Sequence, residues 1–218
     1  MTTPEPSMLA HSRTTPRSPR HADPGGQTPQ NLRWLVVTAG AVHPLRCRVL
    51  RPGLPVEASR YDLDDDPRTT HVAAVDVAAP GLPIAVATAL PQACVDPPTP
   101  VDCPQVLLGA DTPAPRLRRL RGMAVSPEAQ GRGVGRFLLA GLMEAVRARA
   151  DSGADGGASD DSGAGSVDGS NLAPKTWWWA NARTSAVGFY TRQGWRVVSA
   201  EFEIAGVGPH VVMVFGPG

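Results

Sequence analysis

A glycine-rich segment at residues 130–135, with the sequence QGRGVG, constrains this chain more than any other feature. It follows an apolar run at 116–125, which predicts a strand. It precedes apolar residues at helical spacing, which predict a helix with one buried stripe. The glycines remove Cβ atoms from one side of the turn, so backbone N–H groups can converge on an anion at the positive end of the helix. The segment therefore predicts a strand–turn–helix unit that binds a pyrophosphate.

Two other phosphate-binding loops do not fit these residues. The phosphate loop of ATPases ends in Gly-Lys-Ser/Thr, but the chain's one lysine, Lys175, lies far from this turn. The dinucleotide fingerprint requires a third glycine where the chain has Arg136, and no strand with an acidic end follows at the expected distance. The remaining pattern is Gln/Arg-x-x-Gly-x-Gly/Ala, carried here by Gln130, Gly133 and Gly135.

Low-complexity segments divide the chain. Residues 1–30 hold six prolines and no aromatic residue, and residues 151–173 hold six glycines, five serines and five aspartates. We expect both segments to be disordered, and we expect the Pro-rich residues 91–115 to form a long surface loop. Residues 31–218 are then expected to form a single domain that contains the Pro-rich loop at 91–115 and the Asp-rich insertion at 151–173. Without the tail and the Asp-rich segment, the net charge is about +5, which suits a small anionic ligand better than a nucleic acid.

The hydrophobic pattern predicts a mixed α/β order, β-α-β-β-β-α-β-α-β-β. In this interpretation residues 41–50 contain a short helix that begins near Pro44. A further helix over 186–193 is capped by Thr184 and Ser185. The predicted strands cover residues 32–38, 71–77, 84–90, 116–125, 176–180, 195–204 and 210–215. The second and third of these strands flank a turn at residues 80–83, which predicts a β-hairpin.

Two segments together resemble the GNAT superfamily of acetyl-CoA-dependent N-acetyltransferases. One is the strand, turn and helix at 118–146. The other is residues 181–195, where an asparagine after a strand is followed by a helix with a tyrosine, then by a glycine and an aromatic residue. The resemblance implies a three-layer α+β fold with a mixed, mostly antiparallel sheet. That sheet would splay between its fourth and fifth core strands, at 116–125 and 176–181.

The resemblance also implies a binding site for acetyl-CoA as cosubstrate, with no metal. Tyr190 would be the catalytic acid that protonates the departing thiolate, because a phenol is protonated at neutral pH. Gly122 would form a bulge that turns a backbone N–H toward the thioester carbonyl. The implied cofactor-binding residues are Met123, Ala124, Val125, Gln130, Gly131, Arg132, Gly133, Val134, Gly135, Arg136, Asn181 and Tyr190. Each of Gly122, Asn181 and Tyr190 also has a purely structural interpretation, as a kink, a turn residue and a core aromatic.

Several other residues stay open at this stage. The general base could be Glu57, Asp76, Glu201, Glu203 or His210. The acidic segment at residues 62–66 is typical of a solvated loop that could attract a cationic amine. The three cysteines fit free thiols, with a Cys94–Cys103 disulfide as the alternative. The tryptophans at 177–179 would pack the core on one face and could line the acceptor side on the other.

The function expected from this resemblance is transfer of an acetyl group to a primary amine in a ternary complex. The acceptor could be a small molecule, a protein N-terminus or a lysine, and a non-catalytic acyl-CoA-binding module is a further alternative. A nucleic-acid-binding role for the arginines at 116–121 is the third alternative. We expect a cytoplasmic protein with no nucleic-acid or membrane partner, since no apolar segment is long enough to span a bilayer.

Overall fold

The computed structural model describes residues 31–78, 81–91, 116–152 and 176–216. The predicted tail, almost all of the Pro-rich and Asp-rich segments, and Cys94 and Cys103 lie outside these ranges. The strands are β1 Leu32–Val37, β2 Thr70–Asp76, β3 Ala85–Leu90, β4 Arg116–Val125, β5 Thr176–Arg183, β6 Arg196–Val197, β7 Phe202–Ile204 and β8 Gly208–Phe215. The α-helices are α1 Ala39–Leu50, α2 Val134–Asp151 and α3 Val187–Thr191, and short 3-10 helices lie at Val56–Ser59, Pro127–Ala129 and Thr184–Ala186.

One mixed sheet organises these elements. Its strand order is β1-β2-β3-β4-β5-β8-β6, and β7 also pairs with β8. The β4–β5 pair is parallel, whereas the other pairs are antiparallel. The predicted hairpin of the second and third strands and the mixed, mostly antiparallel sheet are therefore confirmed.

The sheet opens between β4 and β5. The two strands pair from Arg116 and Thr176 only as far as Arg119 and Trp179. Beyond these residues, β4 continues beside β3 and β5 continues beside β8, so each keeps its outer neighbour while the gap widens. The splay predicted between the fourth and fifth core strands is thus present.

Helices cover both faces of the sheet. α2 and α3 pack on one face, in a core that includes Leu120, Leu138 and Trp178. α1 packs on the other face, where Val42 and Ala124 are buried together. Trp178 and Trp179 alternate, so Trp179 lies in a separate cluster with two valines of β8. Both tryptophans are buried, as expected for core residues.

Several element boundaries differ from the sequence prediction; β5, for example, continues to Arg183 rather than ending at residue 180. α1 begins at Ala39 rather than near Pro44, and the proline lies inside the helix. The predicted strand at 195–204 is two short strands, because the Ser199 hydroxyl accepts the Val212 N–H at 2.8 Å and interrupts the backbone ladder. Thr184 and Ser185 do not cap α3: they belong to a 3-10 helix that precedes it, with no side-chain cap.

None of the helices described here combines the length and the apolar character that crossing a membrane requires.

Candidate functional site

A β-bulge interrupts β4 beside the gap. Gly122 has a φ of +62°. From Val86 to Thr88 the pairing advances two residues on β3 but three on β4, from Ala124 to Arg121. The extra residue reverses the alternation of side chains, so Leu120 faces α2 while Ala124 faces α1. The bulge predicted at Gly122 is confirmed.

Gly122 also has no space for a side chain. A Cβ atom at this position would lie 2.5 Å from Nε of Arg46 and 2.9 Å from Cε2 of Tyr61. Both the positive φ and the close approach therefore require glycine here.

The opening between the strands is a cleft of about 230 Å³, which we call the central cleft. Its walls come from residues 119–123 of β4 and residues 180–183 of β5, with Leu50 and Arg51 at the end of α1 and His210 at the start of β8. It includes Gly122, Met123, Asn181 and Tyr190 among the residues singled out in the sequence.

Tyr190 closes the cleft on the α3 side. Its ring is 7% exposed and packs edge-on against Phe189 and at a tilt against Trp195, with centroids 5.0 and 5.2 Å away. Burial raises the pKa of the Tyr190 phenol well above its ordinary value of 10.0, so the hydroxyl stays protonated at neutral pH. That hydroxyl donates to Sδ of Met123 at 3.7 Å, a weak acceptor on the opposite wall.

The glycine-rich segment forms the turn into α2. Gly131 and Gly133 have φ values of +71° and +77°, and Gly133 is the N-cap residue of α2. No described side chain caps this end, which leaves backbone N–H groups at the first turn for another acceptor. A Cβ at Gly135 would meet Phe189 at 3.3 Å and Met123 at 3.4 Å, so this glycine allows α2 to pack closely.

The other residues predicted around the turn lie at its surface or on its flank. Arg132 and Arg136 are exposed, and Val134 is buried. Gln130 is exposed, and its amide nitrogen donates to the carbonyl oxygen of Val125 at 3.0 Å, which ties the turn to the end of β4. Asn181 lies on β5 across the gap.

Of the five residues considered as the general base, His210 lines the central cleft. Glu57, Glu201 and Glu203 are exposed, and a carboxylate oxygen of Asp76 accepts the N–H of Ala78 at 2.9 Å. His210 is 5% exposed, and its Nδ1 lies 2.7 Å from the carbonyl oxygen of Gly208. Because a carbonyl can only accept, Nδ1 carries the proton, and a neutral ring then presents Nε2 as an acceptor.

A buried polar network lies behind the bulge, and sequence reasoning missed it. Arg46 is completely buried and donates to Asp64 at 2.7 Å and to the carbonyl oxygen of Ser59 at 2.9 Å. His43 Nε2 lies 3.0 Å from the same Asp64 oxygen. Burial raises the pKa of Asp64, but the hydrogen bond and charge of Arg46, together with hydrogen bonds from the Tyr61 N–H and His43, lower it more, so the net pKa is below its ordinary value. The solvated-loop interpretation is therefore wrong for Asp64.

Arginines rather than acids line the central cleft. Arg119 stacks on Trp179 at 4.4 Å and Arg121 on Tyr61 at 3.8 Å. Arg51 Nη1 and Arg183 Nη2 both donate to the carbonyl oxygen of Leu50, at 3.1 and 3.0 Å. These contacts place Arg119 and Arg121 against aromatic rings in a cleft rather than in an exposed basic stripe of the kind that binds nucleic acids.

No group of three or more potential metal-ligating side chains occurs in the described ranges. Cys47 is a free, buried thiol. It lies 3.2 Å from the carbonyl oxygen of Leu54 and 3.4 Å from that of Pro55, which gives it a packing role at the end of α1.

Comparison with solved structures identifies the fold. A Lactobacillus plantarum protein assigned as an N-acetyltransferase aligns over 86% of this chain and 99% of its own, with a TM-score of 0.54 and 18% identity. A bacterial toxin aligns over 85% and 90%, with a TM-score of 0.51 and 19% identity. The NatC complex bound to a Gag peptide and CoA aligns over 87% and 100%, with a TM-score of 0.51 and 13% identity.

Comparison of sequences identifies the domain. A search of curated proteins finds no match. A family model described as an acetyltransferase (GNAT) domain matches residues 99–197, which span the bulged strand, the glycine-rich turn and Tyr190. The resemblance stated from the two sequence segments is thereby confirmed. Residues 99–197 therefore match a GNAT acetyltransferase domain, and this match supports an acyltransferase as the enzyme class.

Proposed function

We propose that this protein transfers the acetyl group of acetyl-CoA to a primary amine by direct attack in a ternary complex. One observation carries the proposal: the β4–β5 gap has a bulged backbone on one wall and a buried, protonated tyrosine on the other. A thioester needs no further activation by a covalent enzyme intermediate, so the two walls suffice for the chemistry.

The described residues fit acetyl-CoA as the donor. The uncapped first turn of α2 offers N–H groups and a positive dipole to the pyrophosphate. Gly131 and Gly133 leave that side of the turn without Cβ atoms, and Arg132 and Arg136 are exposed beside it. The pantetheine arm would then run along Met123, Ala124 and Val125, as a strand would, with Asn181 on the far wall. The NatC complex, a solved structure of this fold, contains CoA, which supports acetyl-CoA as the donor.

The bulge and Tyr190 supply the chemistry of the thioester. A backbone N–H displaced from the ladder at the bulge can stabilise the negative charge that develops on the thioester oxygen. The Tyr190 hydroxyl has only a thioether as its described partner, so a departing thiolate would be a better acceptor for its proton.

His210 is our proposal for the general base. It is buried in the cleft wall, and the contact with Gly208 leaves its Nε2 free to accept a proton from the attacking amine. A reaction that consumes acetyl-CoA needs a compartment that holds this metabolite, and we propose the cytoplasm. For the acceptor we propose a small-molecule amine, with a protein N-terminus or lysine as the second candidate class.

Ligand-induced stabilisation tests the donor. Acetyl-CoA at one hundred times its dissociation constant should stabilise the folded chain by ~2.7 kcal/mol, whereas NAD should not. The measurement is thermal unfolding of the full chain with acetyl-CoA, CoA or NAD. Absence of any shift at millimolar acetyl-CoA would contradict the proposed function.

Substitution of Tyr190 tests the catalytic role against the acyl-CoA-binding module. Tyr190→Phe keeps the buried ring but removes the acid, so we expect an unchanged shift with acetyl-CoA and a turnover lower by about 10²-fold. Turnover is followed as release of the CoA thiol with a panel of amines. A Tyr190→Phe variant with full turnover would rule out the proposed acid.

A further inference from the structure

We propose that the amine acceptor carries an anionic group, a carboxylate or a phosphate, and that Arg51 and Arg183 bind this group at the α1 end of the central cleft. We call these two residues the arginine pair. The inference rests on the proposed function, because it specifies the class of amine that the same site acetylates.

The arginine pair converges on a single oxygen. Arg51 Nη1 and Arg183 Nη2 lie 3.1 and 3.0 Å from the carbonyl oxygen of Leu50, the last residue of α1. The two nitrogens are therefore no farther apart than these two distances combined. Each guanidinium has five N–H donors, so one shared carbonyl leaves most of them for a ligand. Two planar guanidinium groups at this separation can bind the oxygens of one carboxylate or phosphate.

The described surroundings do not neutralise this pair. Neither arginine has a carboxylate partner among the ion pairs of the described ranges, and the described wall of the central cleft contains no aspartate or glutamate. Asp64, a buried acid of the adjoining network, is already bound by Arg46, His43 and the Tyr61 N–H. The negative end of α1 offsets only part of the repulsion between two cations.

Arg121, on the β4 wall of the same cleft, shows that the cleft is unfavourable for uncompensated cations. Burial lowers the pKa of its guanidinium, and the charge of Arg46 lowers it further, although Tyr61 and nearby aspartates oppose this change. An anionic ligand in the cleft would reduce this cost, and a cationic ligand would increase it.

The arginine pair is placed for an acceptor rather than for acetyl-CoA. Arg183 lies directly opposite His210 in the β5–β8 ladder, so their side chains share one face. That face is the one covered by α1, whereas the glycine-rich turn leads into α2 on the opposite face. An amine near His210 would therefore place an attached carboxylate or phosphate within reach of the arginine pair.

Matched acceptor pairs test the inference with the full chain at saturating acetyl-CoA. Alanine is compared with alaninamide, and O-phosphoethanolamine with ethanolamine, as kcat/KM for release of the CoA thiol. The less basic amine of alaninamide favours attack, so any preference for alanine must come from its carboxylate. In a parallel measurement, N-acetylalanine and N-acetylalaninamide are added to CoA-saturated protein, and the thermal shift is recorded.

We expect the charged member of at least one pair to be preferred about tenfold or more, and N-acetylalanine to give the larger shift. Arg183→Gln and Arg51→Gln should each reduce this preference. The controls are Arg196→Gln on β6 and Arg48→Gln on α1, which remove the same charge from exposed positions. These variants should leave the preference for the charged acceptor unchanged. The thermal shift with acetyl-CoA confirms that each variant is folded.

Two results would contradict the inference, and they have different meanings. If acetyl-CoA stabilises the protein but neither charged probe is preferred or bound better than its neutral partner, the anionic-acceptor inference is wrong and the donor assignment stands. If acetyl-CoA itself gives no stabilisation, the proposed function fails and this inference fails with it. The two matched pairs separate a carboxylate acceptor from a phosphate acceptor.

Discussion

At the scale of single residues, Gly122 is constrained by conformation and by space together. Gly53 provides a natural comparison, because its φ is +81° but nothing lies within 4 Å of the position that a Cβ would take. Gly122 has a similar backbone but faces the Arg46 guanidinium and the Tyr61 ring. The difference between the two glycines therefore isolates the packing constraint behind the bulge.

Alanine at these positions should have unequal effects on stability. Gly53→Ala should cost roughly 1 kcal/mol, the conformational penalty of a left-handed residue. Gly122→Ala should cost clearly more, because Arg46 is buried and bonded and cannot move aside. The measurement is the free energy of unfolding in urea. Equal losses in the two variants would show that the space behind the bulge is not limiting.

His210 permits a kinetic test of the proposed base. His210→Gln keeps an amide that can donate to Gly208 but removes the imidazole acceptor, so we expect kcat to fall by about 10²-fold or more. The KM for acetyl-CoA should change little, because the histidine lies on the acceptor side. A rise in that KM with unchanged kcat would indicate a binding role instead.

At the scale of elements, α2 approaches β1 through a glycine. A Cβ at Gly141 would lie 2.6 Å from Cγ of Trp34, a half-buried side chain packed against the α2 core. Alanine normally favours a helix over glycine by about 1 kcal/mol. Here the indole ring of β1 occupies the space that the methyl group would need, so packing opposes propensity.

We expect Gly141→Ala to destabilise the protein despite its better helix propensity. Gly40→Ala is the control, because Gly40 lies in the first turn of α1 with nothing within 4 Å of its Cβ position. That substitution should be neutral or stabilising. Thermal unfolding of both variants gives the comparison, and a stabilised Gly141→Ala would show that Trp34 can move away without loss.

Elements with local signals were predictable from sequence, and those that depend on distant partners were not. The α2 helix and the β2–β3 hairpin follow from periodicity and turn residues, and the bulge follows from a glycine inside a strand. The break between β6 and β7 depends on Ser199 meeting Val212 across the sheet. Asp64 looks like part of a solvated acidic loop because its partner, Arg46, lies on a separate helix.

The residues of the candidate site also fall into two groups, those that a local motif indicates and those that depend on contacts with the backbone. Tyr190, Asn181 and the glycine-rich turn belong to contiguous motifs, so a single sequence can indicate them. The arginine pair and the tautomer of His210 depend on carbonyl oxygens of Leu50 and Gly208. Backbone oxygens carry no residue-type signature, so no sequence pattern marks such contacts.

At the scale of the whole molecule, the buried network links stability to pH. His71 donates from Nε2 to the carbonyl oxygen of Asp64 at 2.9 Å, and its Nδ1 lies 2.8 Å from the Thr88 hydroxyl. Burial lowers the pKa of His71 below its ordinary value of 6.5, despite the opposing contribution of Asp64. Below about pH 6.5 the unfolded chain therefore binds a proton that the folded chain excludes.

The stability that neutral, buried His71 contributes should thus be complete above about pH 6.5, and the free energy of unfolding should decrease as the pH falls below this value. A second decrease should begin below about pH 4 and comes from Asp64. Because the contact with Arg46 lowers the pKa of Asp64 in the folded chain, this carboxylate takes up a proton in the unfolded chain first as the pH falls. The free energy of unfolding is measured in urea between pH 7.5 and 3.5. His71→Gln should be less stable at pH 7.5 but should show a shallower first decrease. An unchanged slope would assign the titration to another group.

The bulge has a consequence for how this protein can diverge. Because one inserted residue inverts the alternation of β4, Arg119 and Arg121 face away from α2 toward Trp179 and Tyr61, whereas Met123 and Val125 pack with the α2 core. Under the proposed function, substrate choice and donor recognition are encoded on the two sides of a single glycine. Selection can then exchange residues before Gly122 to change the substrate, while those after it keep the donor site intact.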